Sequence, residues 1–552
     1  TRSKDHVPAM YTMNPKTEEV RNYNSAVPRV KDWDAWATGS FFTQTLGWEG
    51  NLRDEHHIGV MVGQDYQEFY NDNFQAYKEG FYDNYHTDLN SASGQVNAQA
   101  TGASSREKLV SVFGRLSYDY KQRYLVSAVF RYDGSSRLAP DHRWAFFPSV
   151  SLAWRIDQEN FMKNAEFIDQ LKPRFSWGKM GNQAVSLYSY LSSVNTSGYD
   201  YSFDGTKYGG AAISALADNT ITWEETTSYD AGIDFSAFGN RVLFSADWFL
   251  KRTEGILRTV NLPSQVGDLS GPKSNVGVVD NKGIELSLTL RDSWGDFSAG
   301  ISGNFSYTRN EIVDLNGETE INGRLICKEG YPINSWYLLE TDGVFQNQSE
   351  IDNAQAVYGN RANLRPGYVK YVNQNNDNTI DGNDRVIAGN TIPRFAYGFN
   401  LNFGWKGFAV EAQFQGVGDV SVYPSSNMAF GLYNGAGLTK QWVRDSWSAT
   451  NRNTEYPLLT TYPEAGENFQ NSTLWLQDAS YLRLKNIQLS YTFPKQLVGR
   501  IGIKGLQVYV SGQNLVTFSD FKIWDPEISI SQVNLFSYPI LKTISFGINL
   551  TL

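Results

Sequence analysis

The stretch from Leu109 to Tyr132 reads LVSVFGRLSYDYKQRYLVSAVFRY and decides the fold class. Apolar and polar residues alternate on both sides of a short turn at Lys121-Gln122. Successive side chains of a β-strand point to opposite faces, so the pattern predicts a hairpin of two strands, each with one apolar face. The residues on that face are Val110, Val112, Leu116, Tyr118 and Tyr120 before the turn and Tyr124, Val126, Ala128, Phe130 and Tyr132 after it.

The same alternation continues along most of the chain, and helical periodicity is almost absent. It is clear in residues 149–156, 242–250, 284–290, 395–403 and 543–552. We count about fifteen strands from Ser40 to Leu552, many of them about ten to fifteen residues long, whereas ordinary strands have five or six residues. The sequence therefore predicts an all-β protein with long antiparallel strands.

The two faces of these strands indicate a membrane protein. The apolar faces carry aromatic residues mostly near the strand ends, as the interfacial girdles of outer-membrane barrels do. The polar faces hold charged and amide side chains, which would be costly in the dry core of a β-sandwich but are well solvated in a wet lumen. We therefore predict a transmembrane antiparallel β-barrel in the bacterial outer membrane.

Composition excludes several other classes. The 552 residues are 14% aromatic, which argues against a disordered chain, and no apolar run approaches the roughly 18 residues that a membrane helix needs. The net charge of −10 argues against a nucleic-acid-binding protein, which would carry a basic surface. The single cysteine, Cys327, excludes a disulfide scaffold.

Short and long connections between the predicted strands alternate. The short ones are 47–55, 120–122, 237–240, 292–295, 404–406 and 494–504, and the long ones are 70–107, 181–221, 260–277, 310–393, 420–472 and 518–540. Short turns of outer-membrane barrels are periplasmic and long loops are extracellular. The expected organisation is therefore an extracellular loop segment over residues 1–38 and a barrel portion over residues 39–552.

The strand count does not suit a complete barrel. An odd number of strands whose first member descends from outside does not close as a bacterial single-chain barrel, which uses even numbers. Open edges are not viable within lipid. Either the count is wrong by one, or the chain is the C-terminal part of a larger barrel.

Several motifs resemble those of the SusC/RagA-type TonB-dependent outer-membrane transporters, and they occur in the family's order from about Phe113 to Leu552. They are FRYDGSSRLAPDHRWAFFPSVSLAWRI (130–156), LKPRFSWGKMGNQ (171–183), NKGIELSL (281–288), PGYVKYVNQNNDNTIDGNDRVIAGNTIPRFAYGFN (366–400), DASYLRLKNIQLSYTFP (478–494), VYVSGQNLVTF (508–518) and SFGINLTL (545–552).

The resemblance implies a twenty-two-stranded barrel, of which this chain would supply about the last fifteen strands. It also implies an N-terminal plug inside the barrel, a TonB box before the plug, a SusD-like surface lipoprotein over the mouth, and a dimer of such pairs. The plug, the TonB box and the early strands have no counterpart in this sequence. Lipid and lipopolysaccharide of the outer membrane are further expected partners.

The segment from Asn373 to Asp384 follows the spacing of a calcium-binding loop. Oxygen ligands of such loops stand at positions 1, 3, 5, 7, 9 and 12, and position 7 contributes its carbonyl. The corresponding residues here are Asn373, Asn375, Asp377, Thr379, Asp381 and Asp384. Asn373 replaces the usual Asp, and Asn378 replaces the glycine of the turn. We predict a structural Ca²⁺ site, and the alternative is a hydrated loop held by side-chain hydrogen bonds to its own backbone.

Aromatic residues outside the apolar strand faces are candidates for substrate stacking. Lipid-facing girdles account for roughly four in five of the aromatics on the strands. The remaining candidates are Tyr199, Tyr201, Phe203, Trp336, Tyr337, Tyr423, Tyr433 and Trp442.

No constellation of residues favours catalysis. Asp141-His142-Arg143 lacks a Ser or Cys nucleophile at a recognisable spacing. His56 and His57 are adjacent on a strand and point to opposite faces, so they do not form one metal site. We therefore predict no enzymatic activity and no cofactor besides calcium.

The function predicted from the resemblance is active import. The chain would form the barrel wall of a SusC-like importer of oligosaccharides, with oligopeptides as the close alternative. A stand-alone passive porin and a surface-binding barrel that does not transport are the competing hypotheses.

Overall fold

The computed structural model describes the chain from residue 2 to residue 552, except for residues 9–10, 14–19, 23–26, 54, 82, 93–96, 197–199, 261, 264, 266–268, 270, 426–428, 436, 455, 461–465 and 528–537. Sixteen antiparallel strands form one sheet in which each strand pairs with its neighbours in the chain. They are β1 (Arg2–Val7), β2 (Arg29–Leu52), β3 (His56–Glu79), β4 (Gln99–Tyr120), β5 (Tyr124–Ser135), β6 (Trp144–Trp154), β7 (Ile168–Asn182), β8 (Glu224–Ala237), β9 (Val242–Glu254), β10 (Val278–Trp294), β11 (Phe297–Asp314), β12 (Phe395–Trp405), β13 (Phe408–Gly418), β14 (Tyr481–Thr492), β15 (Gly505–Ser519) and β16 (Thr543–Thr551).

The predicted hairpin at Leu109–Tyr132 is the pair β4–β5. Its register places Leu116 opposite Ala128 and Ser117 opposite Ser127, so apolar and polar residues lie on opposite faces across both strands. The turn residues Lys121 and Gln122 both have φ of 55°. Neither residue prefers a positive φ, so the ladders on both sides hold the turn in this conformation.

Aromatic rings mark both ends of the apolar outward face. Near the short turns, the rings of Tyr124 and Trp154 stack with centroids 6.3 Å apart. At the opposite end of the same two strands, Tyr132 and Trp144 stack at 5.0 Å. Between these two levels the outward residues include Val126, Leu152 and Phe130, which is the order expected of a lipid-facing band between two interfaces.

Short and long connections alternate except on either side of β6, where residues 136–143 form a shorter connection than residues 155–167. The strands near the N-terminus extend further than expected. β2 and β3 each span 24 residues and pair over their whole length, from Arg29 opposite Glu79 to Leu52 opposite His56. The long loop after β3 therefore covers residues 80–98 rather than 70–107.

The described residues of the segment 1–38 include strand residues. β1 pairs in antiparallel register with the start of β2, from Arg2 opposite Asp34 to Val7 opposite Arg29. β2 itself begins at Arg29, before the expected boundary at residue 39. The two sides of this boundary therefore belong to one continuous strand.

The sheet has two edges among the described residues. β1 pairs only with β2, and β16 pairs only with β15. β16 presents outward side chains of which Phe546 is 81% exposed. The strand count is sixteen where about fifteen were expected, and the sheet does not close on itself in this chain.

Shorter elements lie in the connections. The α-helices among the described residues are α1 (Gln348–Asn353), α2 (Lys440–Asp445) and α3 (Lys495–Val498). Two-stranded pairs join Tyr11–Met13 with Val20–Asn22, Ser193–Asn195 with Ala212–Ala215, Tyr201–Phe203 with Thr206–Tyr208, Leu257–Thr259 with Lys273–Asn275, Thr341–Val344 with Val369–Tyr371, and Ser421–Val422 with Gln477–Asp478. A four-stranded sheet joins Glu320–Asn322, Leu325–Cys327, Ser335–Leu339 and Arg385–Gly389.

No helix in the described part of the chain is both long and apolar enough to cross a membrane.

The two faces of β10 give a direct test of the orientation. Leu288 lies on the outward apolar face and its neighbour Ser287 lies on the inward face. We expect Leu288→Arg to destabilise the folded protein by about 2–4 kcal/mol in a bilayer, because the cation is then held in hydrocarbon. Ser287→Arg is the matched control and should cost much less. Denaturant unfolding in lipid vesicles, followed by tryptophan fluorescence, measures both, and equal costs would contradict the assignment of faces.

Candidate functional site

The inward face of the sheet carries a row of hydroxyl groups. Ser117, Ser127, Ser151 and Ser176 are register partners on β4 to β7, and the row continues to Asp230 on β8. These residues line one side of a cavity of about 460 Å³. Serine is small and polar, so this part of the wall is both open and able to hydrogen-bond a hydrated solute.

An ion-pair network flanks this row. The guanidinium of Arg174 makes two contacts of 2.7 Å with Asp247 on β9 and lies 3.3 Å from Asp234 on β8. Lys172 binds the second oxygen of Asp234 at 2.8 Å, and Asp230 lies 3.4 Å from Arg174. Lys251 of β9 lies near Asp230 as a third cation, so the three carboxylates are matched across three strands instead of presenting one sign to the lumen.

A second network lies on β2 to β5. Arg131 donates to Asp133 at 2.7 Å and to the hydroxyl of Ser111 at 2.7 Å. Asp65 accepts from Thr43 and Gln67, both at 2.7 Å. The sequence reasoning missed both networks, because their members are far apart in the chain. The available signal was the charge at inward positions of neighbouring strands.

The two long loops at 315–394 and 419–480 fold together around an aromatic core. Its buried members are Trp336, Leu338, Tyr423, Ala429, Phe430, Trp442, Tyr456 and Trp475. The rings of Trp336 and Tyr423 are 5.7 Å apart, and the indole of Trp442 donates to the carbonyl of Ala429 at 2.9 Å. We call this unit the loop body.

This core corrects three substrate-stacking candidates. Trp336 is 4% exposed, Tyr423 1% and Trp442 2%, so their ring faces are covered by protein and are not free to stack on a ligand. Burial raises the pKa of Tyr423 to about 12, against a hydrogen bond with the amide of Ser472 that lowers it. These residues are structural, since water-exposed loops of this length need a core of their own.

Two further candidates lie at the edge of the loop body. Tyr337 is half-buried beneath the guanidinium of Arg385, which lies 5.9 Å from the ring centroid. Tyr433 is half-buried and makes an edge contact with Phe430 at 5.7 Å. Each ring keeps part of its surface open but already has a partner.

The remaining candidates lie in the loop between β7 and β8. Tyr201 and Phe203 belong to a two-stranded hairpin and are 58% and 66% exposed. Phe203 meets Tyr208 of the facing strand edge-on at 5.9 Å. Tyr199 lies outside the described residues. Of the seven candidates that the structure describes, Tyr201 and Phe203 therefore have the most ring surface free for a ligand.

The segment 373–384 is tied together by its own side chains. Asp377 accepts from the backbone N–H of Thr379 at 2.7 Å, and the amide side chain of Asn375 donates to Asp377 at 2.9 Å. The hydrogen bonds from Thr379 lower the pKa of Asp377. Asp384 is fully buried and accepts backbone N–H groups of Gln374 and Asp381, each at 2.8 Å.

The donor set of this segment also fits a hard cation in one respect. Oδ1 of Asn373, at the first ligand position, is buried and has no hydrogen-bond partner. No group of three His, Cys, Asp or Glu side chains suited to a metal is present in the described parts of the chain. A cation would therefore depend on amide and backbone oxygens as well as carboxylates.

The residues weighed for catalysis serve local roles. His56 lies 2.8 Å from the hydroxyl of Tyr118 on the outward face, and His57 lies 2.7 Å from Asn51. Cys327 is buried against Val279 and Ile312. None of these side chains faces a second catalytic group among the contacts of the described residues.

The wall of an outer-membrane β-barrel, with one apolar and one polar face, is the class of protein that this fold defines. A family model described as TonB dependent receptor-like, beta-barrel matches residues 8–515. TonB-dependent receptor P26 of Formosa agariphila is 31% identical over 535 residues, which are 92% of this chain and 52% of that protein. TonB-dependent receptor SusC of Bacteroides thetaiotaomicron is 29% identical over 512 residues, with coverages of 89% and 48%.

Among solved structures, the RagAB peptide transporter superposes with a TM-score of 0.79 at 25% identity, over 96% of this chain and 57% of the other. The chain therefore belongs to the TonB-dependent receptor β-barrel family and is of the SusC/RagA type. It is an outer-membrane β-barrel protein. The chain spans about half the length of the curated relatives it matches.

Helix α2 provides a test of the loop body. Trp442 is buried in the aromatic core, whereas its neighbour Val443 is 69% exposed. We expect Trp442→Ala to cost about 3–5 kcal/mol in the stability of the loop body, because it leaves a large cavity. Val443→Ala should cost well under 1 kcal/mol. Limited proteolysis within residues 419–480 measures the difference, and equal cleavage rates would show that Trp442 is not part of a core.

Proposed function

We propose that this chain forms the greater part of the barrel wall of an active importer in the outer membrane. The observation that carries the proposal is the open sixteen-stranded sheet, whose inward face is polar. The chain matches 48% of the length of SusC. Open edges need partner strands in lipid. We infer that strands from another part of the transporter complete the wall and that this part holds the plug and the contact with TonB.

A surface lipoprotein is the proposed partner at the mouth. The support is the likeness to SusC and to RagAB, and the loop body gives the extracellular side a rigid platform on which such a lid could rest. Two wall-and-lid pairs would associate, as the resemblance implies. The long loops that carry this platform follow β11 and β13, so it stands over one side of the mouth.

Oligosaccharides are the proposed substrate class, with oligopeptides as the alternative. The hydroxyl row at Ser117–Ser176 and the self-neutralised carboxylates beside it suit a polar solute without a large net charge. Exposed rings at Tyr201 and Phe203 offer stacking surfaces for sugar faces. The alternative is favoured by the RagAB neighbour, which is a peptide transporter.

The proposed transport function can be tested by identifying the proteins that co-purify with this chain. We expect purification from outer membranes in mild detergent to recover, by mass spectrometry, plug and early-strand sequence together with a lipoprotein. Removal of the plug-bearing part should then abolish energised uptake of an oligosaccharide mixture, and a peptide mixture is the parallel arm. Elution of the chain alone as a stable, heat-modifiable barrel would favour a passive porin instead.

We also propose that residues 373–384 bind Ca²⁺ and stiffen the loop body. The support is the ligand spacing and the buried, unpartnered Oδ1 of Asn373. Asn373, Asn375, Asp377, Asp381 and Asp384 would supply side-chain oxygens, and Thr379 its carbonyl.

Calorimetric titration with calcium tests this site. We expect binding in the range of about 0.1–1 mM, as in extracellular modules with few charges. Asp377→Asn should weaken it at least tenfold, since a charged ligand is lost. Asp352→Asn, at an exposed carboxylate on α1, is the matched control and should leave binding unchanged. Absence of a heat of binding up to 10 mM calcium would disprove the site.

A further inference from the structure

The outward face of β4 changes character just above its apolar residues. Val112 and Val110 lie on the same face as Leu116, and the next residues upward on that face are Lys108 and Arg106. Ser111 and Arg115 lie on the opposite, inward face. Lys108 and Arg106 therefore point away from the lumen, at the level where hydrocarbon gives way to lipid head groups.

These two cations share one carboxylate. Glu68 of β3 lies 3.2 Å from Arg106 and 3.6 Å from Lys108, and its other oxygen accepts from the hydroxyl of Tyr66 at 2.7 Å. The side chains of Arg106 and Lys108 are 58% and 44% exposed. One positive charge is left over at this surface, and we call the group the β4 cation pair.

Aromatic rings support the same group from below. The guanidinium of Arg106 lies 5.4 Å from the ring centroid of Tyr70, and the ammonium of Lys108 lies 6.0 Å from that of Tyr66. Both tyrosines are on the outward face of β3. The rings restrict the two side chains to positions over the strand, so that the cations are partly ordered before a ligand arrives.

The same arrangement recurs on β10 and β11. Lys282 and Arg309 are register partners directly above Ile284 and Tyr307 on the outward face. Both lie 3.3 Å from the single carboxylate of Glu311, and they are 44% and 50% exposed. We call this group the β10–β11 cation pair.

The outward charges between the two groups are matched differently. Lys179 of β7 pairs with Glu225 of β8 at 2.9 Å, and Glu254 of β9 is a second carboxylate close to it. Arg252 of β9 makes two bonds of 2.8 Å with Asp280 of β10, which occupies that carboxylate. Two cations therefore face three carboxylates between the two groups, whereas each cation pair places two cations on one shared carboxylate.

We propose that the β4 cation pair and the β10–β11 cation pair each bind a phosphate group of an outer-leaflet glycolipid. Phosphate is the anion found at head-group level, and an arginine fork beside a lysine matches its oxygens. A transported solute does not reach these side chains, because they lie outside the wall. A protein partner is less suitable, since the residues directly below each pair are apolar side chains that need lipid.

Native mass spectrometry of the detergent-purified protein, titrated with bis-phosphorylated lipid A, tests the proposal. We expect two tightly bound lipids per protein. R106Q/K108Q and K282Q/R309Q should each lose one of them, with affinity at that site falling about 25-fold, or about fivefold per cation removed. K179Q, at a lysine of the same face that pairs with Glu225 and lies close to Glu254, is the matched control and should keep both lipids.

A substitution that is expected to raise lipid affinity distinguishes an effect on lipid binding from an effect on folding. Glu68→Gln removes the carboxylate that competes with phosphate, so lipid affinity should rise, whereas a purely structural ion pair would only lose stability. Heat-modifiable mobility in gels checks that each variant is folded.

Equal binding of dephosphorylated lipid A, or an equal loss of lipid in K179Q, would overturn the proposal. Competition by inorganic phosphate at the same concentrations would overturn the assignment to lipid, and retention of a co-purified protein instead of lipid would assign the surface to a protein partner.

Discussion

The structure depends on one constraint, which is that backbone N–H and C=O groups inside a membrane must find partners within the protein. From β2 to β15 every strand is paired on both sides, and most of the connections on one side of the sheet are tight turns. At Lys121 and Gln122 the ladder holds two ordinary residues at positive φ. Closure of hydrogen bonds between strands thus overrides local preference.

In a barrel wall of this kind the buried apolar clusters lie outside the sheet. An outward Leu or Val on the wall is solvated by lipid and needs no protein neighbour, while the inward face is wet. The buried apolar clusters of the described residues accordingly lie mostly in the connections, above all in the loop body around Trp336 and Trp475. Aromatic residues therefore have three distinct settings in this chain, which are the lipid interface, the loop core and an exposed hairpin.

Much of the wall was predictable because a period of two survives in any strand with one lipid face and one wet face. The upper ends of β2 to β4 were missed, since Asp72 interrupts the outward row of Tyr70 and Phe74 and weakens the alternation there. The resemblance to the SusC/RagA family was correct. The sequence did not show which aromatic candidates are buried and which are exposed. Loop residues have no periodicity that distinguishes Trp442, in the core of the loop body, from Phe203, in an exposed hairpin.

Side-chain networks were beyond sequence reasoning for a related cause. Arg174 and Asp247 are 73 residues apart and meet only because β7, β8 and β9 adopt one particular register. A shift of one residue on any of these strands would turn its charges toward lipid. Inward ion pairs are therefore a consequence of register and also oppose its slippage.

The pairing of inward charges bears on selectivity. A wall whose carboxylates are already bound by Arg174, Lys172 and Arg131 exerts little net field on a solute, despite the net charge of −10 for the whole chain. Fields from closely paired opposite charges fall off quickly in a water-filled lumen. Charge along this wall therefore gives little discrimination between solutes. In the importer proposed above, recognition would rest on hydrogen bonding and on the loops, which suits long polar chains better than strongly charged solutes.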